Sequence, residues 1–231
     1  MRLNELSTVH YHDTLNPAIW DGVVLKTEVR YKLLAVAHHF AKFLNVPKLN
    51  LRDITISGSN AAYGYSSKSD LDLHLVVDFP KDKPELEELY TAKKNQYNFT
   101  YNITVKGIDV ELYVQDVQQE HHSAGIYSVL NDRWVSKPKH QPPNIDDKEV
   151  NRKARNYSGL INQAIKSNDL NKAKETMSKI RRLRQAGLEA GGEYSVENLA
   201  FKLLRNRGKI DKFRRHIDKL QSIELSLKEK L

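Results

Sequence analysis

The stretch ISGSNAAYGYSSKSDLDLHLVVD, residues 56–78, contains the pattern that decides the fold. It begins with the end of an apolar strand, breaks at a Gly-Ser pair, passes through a small polar loop and enters a second strand at residue 70. Because side chains alternate between the two faces of a strand, the leucines of DLDLHL face the core. Asp70, Asp72 and His74 then share the opposite face. The stretch predicts two strands of one sheet, with carboxylates on the face away from the core.

The two carboxylates of DLDL need a cationic neighbour, because like charges two residues apart on one strand face repel each other. The strand itself contains no Lys or Arg. A hard divalent ion such as Mg²⁺ is therefore the simplest candidate. The alternative is an edge strand whose polar side faces water, and for the DLDL pattern alone this is the better interpretation.

The Gly-Ser pair makes a metal and phosphate site the better of the two interpretations. Gly58 and Ser59 directly follow the first strand. There a glycine permits close backbone approach, and a serine offers its hydroxyl and N–H groups to an anion. A strand, a Gly-Ser pair, a ten-residue loop and an Asp-apolar-Asp strand together predict a nucleotide site, since each part has a role around one nucleotide.

The flanking segments predict the remaining elements of a small domain. Apolar residues three and four apart predict a helix over residues 26–45, and acidic residues behind a proline predict another over 83–96. Runs of strand-forming residues at 99–105 and 108–114 predict a hairpin with a Lys-Gly turn. These elements predict a mixed sheet with covering helices within residues 1–140.

The histidines of this region have mainly structural interpretations. His74 is either part of a substrate site or a strand-end residue hydrogen-bonded to backbone, and the second interpretation is favoured. His121 and His122 would point in different directions on a helix, with no third nitrogen ligand nearby in the sequence. They are expected to begin a helix.

Three prolines within residues 138–147 predict a domain boundary. The segment that follows is expected to form a bundle of about four helices, because its apolar residues recur at helical spacing. The predicted stripes are Leu170, Ala173, Met177 and Ile180; Val196, Leu199 and Leu203; and Ile210, Phe213, Ile217 and Leu220. The expected fold class is α+β, with a small mixed-sheet domain at 1–140 and an all-α helical domain at 141–231.

The basic residues are concentrated in the helical half. Residues 148–231 contain 21 Lys and Arg against 10 Asp and Glu, whereas residues 1–147 contain 16 against 19. This asymmetry predicts a polyanionic partner, either nucleic acid or nucleotide phosphates. Ordinary solvated helix faces are the alternative interpretation.

Length and composition exclude several other classes. A chain of 231 residues with 39% hydrophobic content supports a substantial core in one or two domains. The absence of cysteine excludes disulfides, thiolate zinc sites and cysteine nucleophiles. No signal peptide and no run of roughly 20 apolar residues is present. The expected protein is soluble and cytoplasmic, without a membrane partner.

The sequences ISGS, NAAYGYSSKS and DLDL together resemble the nucleotidyltransferase superfamily of DNA polymerase beta. The resemblance covers residues 50–115. It implies that Asp70, Asp72 and a third acid on a later strand hold two divalent ions, Mg²⁺ or Mn²⁺. It also implies that Gly58 and Ser59 hold the β- and γ-phosphates of a nucleoside triphosphate, and Ser69 is assigned to the same nucleotide site.

The third acid is expected in KGIDVELYVQD, where Asp109 and Glu111 share one strand face. Poly(A) polymerase members of the superfamily have a similar Gly-Ile-x-Ile-Asp-Leu stretch, which places the ligand at Glu111. The usual residue there is Asp, so a glutamate departs from the family pattern. The implied catalytic and metal-binding residues are Asp70, Asp72 and Glu111.

The resemblance also implies a reaction, in which an acceptor hydroxyl attacks the α-phosphate and pyrophosphate leaves. Glu111 or Asp72 is expected to accept the hydroxyl proton. In the resembling enzymes a helical domain commonly closes over the nucleotide with basic residues. The candidates here are Arg184, Lys202 and Arg205. The basic helical half favours RNA as the acceptor, with a tRNA end as one candidate.

Two other functions remain open at this point. The same site could modify a protein or a small molecule, as in toxin-like and antibiotic-modifying relatives, or the chain could be a non-catalytic RNA-binding or virion-associated protein on this fold. The sequences LNPAIWDG and GGEYSVENLAFKLLR, together with the motif, resemble predicted nucleotidyltransferases of large tailed phages. This second resemblance points to a phage source and names no acceptor.

Overall fold

The structure, a computed structural model, describes residues 11–46, 49–79, 85–119, 123–140 and 144–226. The chain divides into two compact units, and the division falls between residues 140 and 144. The first unit contains the β-sheet and two helices, and the second unit is helical. The fold is therefore α+β, as predicted.

The first unit is built around a six-stranded mixed sheet. Its elements, in chain order, are β1 (Trp20–Asp21), β2 (Val24–Leu25), α1 (Thr27–Leu44), β3 (Leu51–Ser57), a 3-10 turn (Ser59–Ala61), β4 (Leu71–Val77), α2 (Glu85–Thr100), β5 (Thr104–Val105), β6 (Ile108–Asp116), β7 (Ile126–Ser128) and β8 (Arg133–Ser136). The strand order is β5-β6-β4-β3-β7-β8, and β1 pairs with β2 in a separate hairpin. The β4–β6 pair is parallel, and the other pairs in the sheet are antiparallel.

The core of this unit lies between one face of the sheet and the two helices. Leu71, Leu73 and Leu75 of β4 are completely buried, which confirms the predicted core face of this strand. Phe40 of α1 and Tyr97 of α2 pack together with ring centroids 4.8 Å apart. The packing of both helices on this face leaves the opposite face of β4 and β6 for polar side chains.

The parallel register of β4 and β6 places Asp72 directly opposite Glu111. Beyond the short β5, a side chain of α2 provides hydrogen-bond partners for the backbone at the outer edge of β6. The Nδ2 group of Asn98 donates to the Leu112 carbonyl, and its Oδ1 accepts from the Leu112 N–H, both at 3.0 Å. The Asn98 amide thus takes the part of a peptide group in a neighbouring strand, and it fixes the backbone next to Glu111.

The strand predicted over residues 99–105 is wrong over most of its length, because α2 continues to Thr100 and only β5 pairs with β6. Tyr90 and Tyr97 lie two helical turns apart and are both buried. Their burial on one helix face outweighs the strand preference of the aromatic and β-branched residues around them.

The helix predicted after His121 and His122 is also wrong, although the two histidines themselves lie outside the described residues. The segment forms β7, which pairs with β3. Tyr127 is buried there and meets the Trp20 ring edge-on, with centroids 5.1 Å apart. Sheet pairing and this aromatic contact fix the segment as a strand.

The second unit contains four α-helices within its described residues. They are α3 (Asp147–Ser167), α4 (Leu170–Gly191), α5 (Val196–Asn206) and α6 (Lys209–Leu225), with a 3-10 turn (Gly192–Tyr194) before α5. The carboxylates of Asp146 and Asp169 cap α3 and α4 by accepting from N–H groups of the first turn. Residues of the predicted stripes, including Met177, Ile180 and Phe213, form the core. Among the described residues, no helix combines the length and apolar composition needed to cross a membrane.

We expect the Tyr97 phenol to make stability depend on pH in the alkaline range. The hydroxyl of Tyr97 bonds His39 Nδ1 at 2.8 Å. Burial, with a contribution from Tyr101, raises the pKa of Tyr97 to about 12. The unfolded chain therefore loses this proton first, and the stabilisation present below pH 10 is lost as the pH rises through about 12.

The test compares the unmodified chain with Tyr97→Phe in urea unfolding at pH 8 to 12. We expect the difference in unfolding free energy between the two proteins to shrink, or to change sign, over this range. A difference that stays constant would contradict the assignment, since the other titrating groups are common to both proteins.

Candidate active site

Three carboxylates converge on the polar face of the sheet. Asp70, Asp72 and Glu111 each offer an oxygen within 4.8 Å of the others, and all three side chains are partly buried. Asp70 lies just before β4, whereas Asp72 and Glu111 face each other across the β4–β6 pair. Asp109, the other candidate for the third acid, is exposed and lies outside this cluster. The structure thus brings together the three acids that the motif implied.

Gly58 lies directly against this cluster. Its φ of 75° and ψ of −161° belong to a region that is essentially restricted to glycine. A Cβ atom at this position would lie 2.1 Å from Asp72 Oδ2. The absence of a side chain therefore allows the Asp72 carboxylate to pack against the backbone of residues 58–61, which we call the Gly58 turn.

Asn60 anchors the Gly58 turn to the strand that carries the acids. Its side chain is completely buried, and its Nδ2 group donates to the Asp70 carbonyl at 2.8 Å. Its Oδ1 accepts from Asn16 Nδ2 at 2.8 Å, and its carbonyl accepts from Trp20 Nε1 at 2.7 Å. The sequence reasoning missed Asn60, Asn16 and Trp20. The only signal at position 60 was an asparagine directly after the Gly-Ser pair, and a polar residue is ordinary in such a loop.

Ser59 and Ser69, both assigned to the nucleotide, are joined by a hydrogen bond. Ser59 Oγ donates to Ser69 Oγ at 2.8 Å, and the Ser66 N–H donates to the same Ser69 oxygen at 2.9 Å. This contact closes the ten-residue loop at its base. Ser59 directly follows Gly58, and Ser69 directly precedes Asp70 of the acid cluster.

An aromatic group packs beside the carboxylates. Tyr113 stacks on His74, with ring centroids 4.9 Å apart, and Lys94 Nζ lies 4.7 Å from the Tyr113 centroid. Burial, together with the negative charges of Asp72 and Glu111, raises the pKa of the Tyr113 phenol far above its usual value. His74 Nε2 also lies 3.1 Å from Ser57 Oγ on the neighbouring strand β3.

A groove of about 740 Å³ opens beside Asp70 and Glu111. One wall is the loop that ends at Ser69, and another is the end of α2 with Asn98 and Tyr101. The β5–β6 turn, which includes Gly107, completes the lining on a third side. The Asp70 and Glu111 carboxylates therefore line a space large enough for a small-molecule ligand.

The basic residues assigned to the nucleotide lie in the second unit and make contacts within it. Arg184 Nε donates to Asn198 Oδ1 at 2.9 Å, and the guanidinium carbon lies 4.7 Å from the Phe201 centroid. Lys202 Nζ is 4.0 Å from a Glu193 carboxylate oxygen. Arg205 is partly buried on α5. A nucleotide role for Arg184, Lys202 and Arg205 stays a prediction.

Comparison with known proteins finds no matching family model, and no curated protein or solved structure with significant similarity to the chain. The resemblance to the polymerase beta superfamily thus depends on the motif residues alone.

We expect Gly58→Ala to destabilise the chain more than Gly107→Ala, although both glycines have a positive φ, 75° and 76°. A Cβ at Gly107 meets nothing within 4 Å, whereas a Cβ at Gly58 meets Asp72. The Gly107 change should cost about 1 kcal/mol of backbone strain. The Gly58 change should cost at least about 2 kcal/mol more, because its φ and ψ lie in a region essentially restricted to glycine and because the turn and the carboxylate must separate.

Urea unfolding of both variants, and of Gly58→Ala combined with Asp72→Ala, measures these costs. Measured against Asp72→Ala alone, which accounts for the relief of carboxylate repulsion, the Gly58→Ala change should cost less in the double variant if the Asp72 contact is the cause. Equal costs for the two glycines, or an undiminished cost in the double variant, would contradict this explanation.

Proposed function

We propose that the chain is a metal-dependent nucleotidyltransferase that transfers a nucleoside monophosphate from a nucleoside triphosphate to an acceptor hydroxyl. The convergence of Asp70, Asp72 and Glu111 beside the Gly58 turn carries this proposal. A sheet gains no stability from clustered like charges, so a bound cation is the physical reason to keep them together. The groove beside the acids provides space for a substrate.

The chemistry of the donor set fits a hard divalent ion. All three groups are carboxylates, which Mg²⁺ and Mn²⁺ prefer over nitrogen or sulfur ligands. Asp70, Asp72 and Glu111 would hold the metal. The glycine at position 58 leaves the Asp72 carboxylate room to lie next to the backbone that is assigned to the phosphates. When bound, the metal supplies Lewis-acid stabilisation of charge on the phosphate oxygens.

In the proposed reaction, the acceptor oxygen forms a bond to the α-phosphorus. The bond between that phosphorus and the oxygen leading to the β-phosphate breaks, and pyrophosphate leaves with the electron pair. The acceptor proton passes to a carboxylate, either Glu111 or Asp72. Gly58, Ser59 and Ser69 hold and orient the triphosphate, and Asn60 keeps their turn attached to the acid-bearing strand. No covalent intermediate with the chain is involved.

RNA is the proposed acceptor. The excess of Lys and Arg over residues 148–231 supports this choice, since a polyanion is attracted to such a surface in a salt-dependent way. The second unit would then contribute to acceptor binding, while the first unit carries the chemistry.

Metal binding is tested by thermal unfolding with Mg²⁺ or Mn²⁺ and after addition of EDTA. At about ten times its dissociation constant, the metal should raise Tm by about 3–6 °C in the unmodified chain. Asp72→Asn and Glu111→Gln should lose this shift. Asp109→Asn is the matched control and should keep it, because Asp109 is exposed and outside the cluster. A shift that survives in Glu111→Gln and disappears in Asp109→Asn would move the third ligand to Asp109.

Nucleotidyl transfer is tested by incubating the chain with each α-labelled nucleoside triphosphate, Mg²⁺ or Mn²⁺, and total RNA. We expect label on RNA, and a loss of at least about a hundredfold in the Asp70→Ala/Asp72→Ala variant, because the charge stabilisation of the site is removed. Label on protein or on a small molecule would overturn the RNA acceptor. Bound nucleotide without any transfer, across RNA, protein and small-molecule fractions, would overturn the enzymatic proposal.

A further inference from the structure

Ser123, which the sequence reasoning did not assign to the site, bonds directly to the Gly58 turn. The Gly58 N–H donates to Ser123 Oγ at 3.0 Å, across 65 positions of the chain. The same hydroxyl donates to the Gly125 carbonyl at 3.0 Å. One serine side chain therefore links the turn to the segment that leads into β7.

The segment from Ser123 to Gly125 packs closely on the Gly58 turn. A Cβ atom at Gly125 would lie 2.0 Å from the carbonyl oxygen of Ala61, a distance that no side chain tolerates. Gly125 is therefore in backbone contact with the last residue of the turn. This backbone contact lies two residues from Ser123 and holds its segment next to the Gly58 N–H.

The hydroxyl of Ser123 completes the support of an unusual backbone conformation. The Gly58 carbonyl accepts from the Ala61 N–H at 3.1 Å, which holds one side of the residue. The Gly58 N–H on the other side is held by Ser123. Because glycine is intrinsically permissive, the φ and ψ of Gly58 must be fixed by such contacts. Without the hydroxyl, this N–H loses its partner and the peptide group is able to rotate.

We propose that Ser123 is a positioning residue of the nucleotide site, and that it acts by orienting the Gly58 turn toward the triphosphate. This role rests on the proposed function, because it requires that Gly58 and Ser59 contact phosphates. Under this role, Ser123 affects metal binding and nucleotide binding to different extents. The acids are carried by β4 and β6, and the Gly58 turn only adjoins them, so metal binding should depend on Ser123 much less than nucleotide affinity does.

The chain offers conservative and matched variants for the test. Ser123→Ala removes the hydroxyl, and Ser123→Thr keeps it. Ser128→Ala is the control for a lost serine hydrogen bond in the neighbouring strand. Ser128 is completely buried, donates to Asp53 Oδ1 at 2.6 Å and accepts from the Asn131 N–H at 3.0 Å.

Three quantities are measured on the full chain: the equilibrium affinity for each nucleoside triphosphate with Mg²⁺, the metal-induced shift in Tm without nucleotide, and the hydrogen exchange rate of the Gly58 amide. In Ser123→Ala we expect nucleotide affinity to fall about three- to tenfold, the effect of one lost hydrogen bond. Gly58 exchange should become faster, and the metal-induced shift in Tm should change much less than the nucleotide affinity. Ser123→Thr should restore both affinity and amide protection. Ser128→Ala should lower Tm while keeping nucleotide affinity.

The outcomes distinguish this inference from the proposed function. If the unmodified chain binds nucleotide and Ser123→Ala binds it equally well, the positioning role is overturned and the proposed function stands. An affinity loss in Ser123→Ala that Ser123→Thr does not rescue, or an equal loss in Ser128→Ala, would also overturn it, since both results indicate general destabilisation. An unmodified chain that binds no nucleoside triphosphate with Mg²⁺ would overturn the proposed function and this role together.

Discussion

The parallel pairing of β4 with β6 is the constraint on which the candidate site depends. It places Asp72 opposite Glu111 and brings carboxylates from two distant parts of the sequence to one position. Parallel neighbours cannot be joined by a tight turn, so the chain must cross over the sheet between them, and α2 forms this crossover. The crossover helix then serves the site in a second way, because Asn98 at its end holds the edge of β6 beside Glu111. The parallel pairing of β4 with β6 thus explains both the crossover through α2 and the position of Glu111.

The site is also arranged so that like charges stay close to each other. Left alone, the repulsion among the carboxylates would favour their separation. The structure opposes this with rigid local contacts: Asn60 ties the turn to the backbone of Asp70, and the missing side chain of Gly58 gives the Asp72 carboxylate a fixed place. Buried polar residues such as Asn60 are costly unless every hydrogen-bonding group has a partner, and here Asn16 and Trp20 supply the remaining partners. Under the proposed function, such support would hold the turn and the acids in the positions that the substrate and the metal require.

The sequence predicted the structure wherever the spacing of apolar residues within one segment determined its secondary structure and its buried face. Alternation in β4 gave its core face, and helical spacing gave α1, α4, α5 and α6. It failed at the end of α2 and at β7, where long-range packing of Tyr97 and Tyr127 overrode local preference. The convergence of the acids could be expected from the sequence, because Asp-apolar-Asp alternation and an acid on a later strand form a recognisable pattern. Asn60, Asn98 and Ser123 were not, since each acts through a single hydrogen bond to a residue that becomes a neighbour only in the folded sheet.

Under the proposed function, two kinds of electrostatic attraction act on one substrate complex, and they differ in range. The carboxylates alone would repel a triphosphate, so nucleotide binding at the first unit has to be coupled to the metal. The attraction between the metal and the carboxylates acts at short range among partly buried groups, so salt screens it only weakly. The cations of residues 148–231 act on a polyanion through exposed surface charge, which screening over about 10 Å at 0.1 M salt largely removes. Dependence on metal and dependence on salt therefore report on different parts of the chain. If the second unit holds the acceptor, added salt should weaken acceptor binding, whereas nucleotide binding should still depend on the metal.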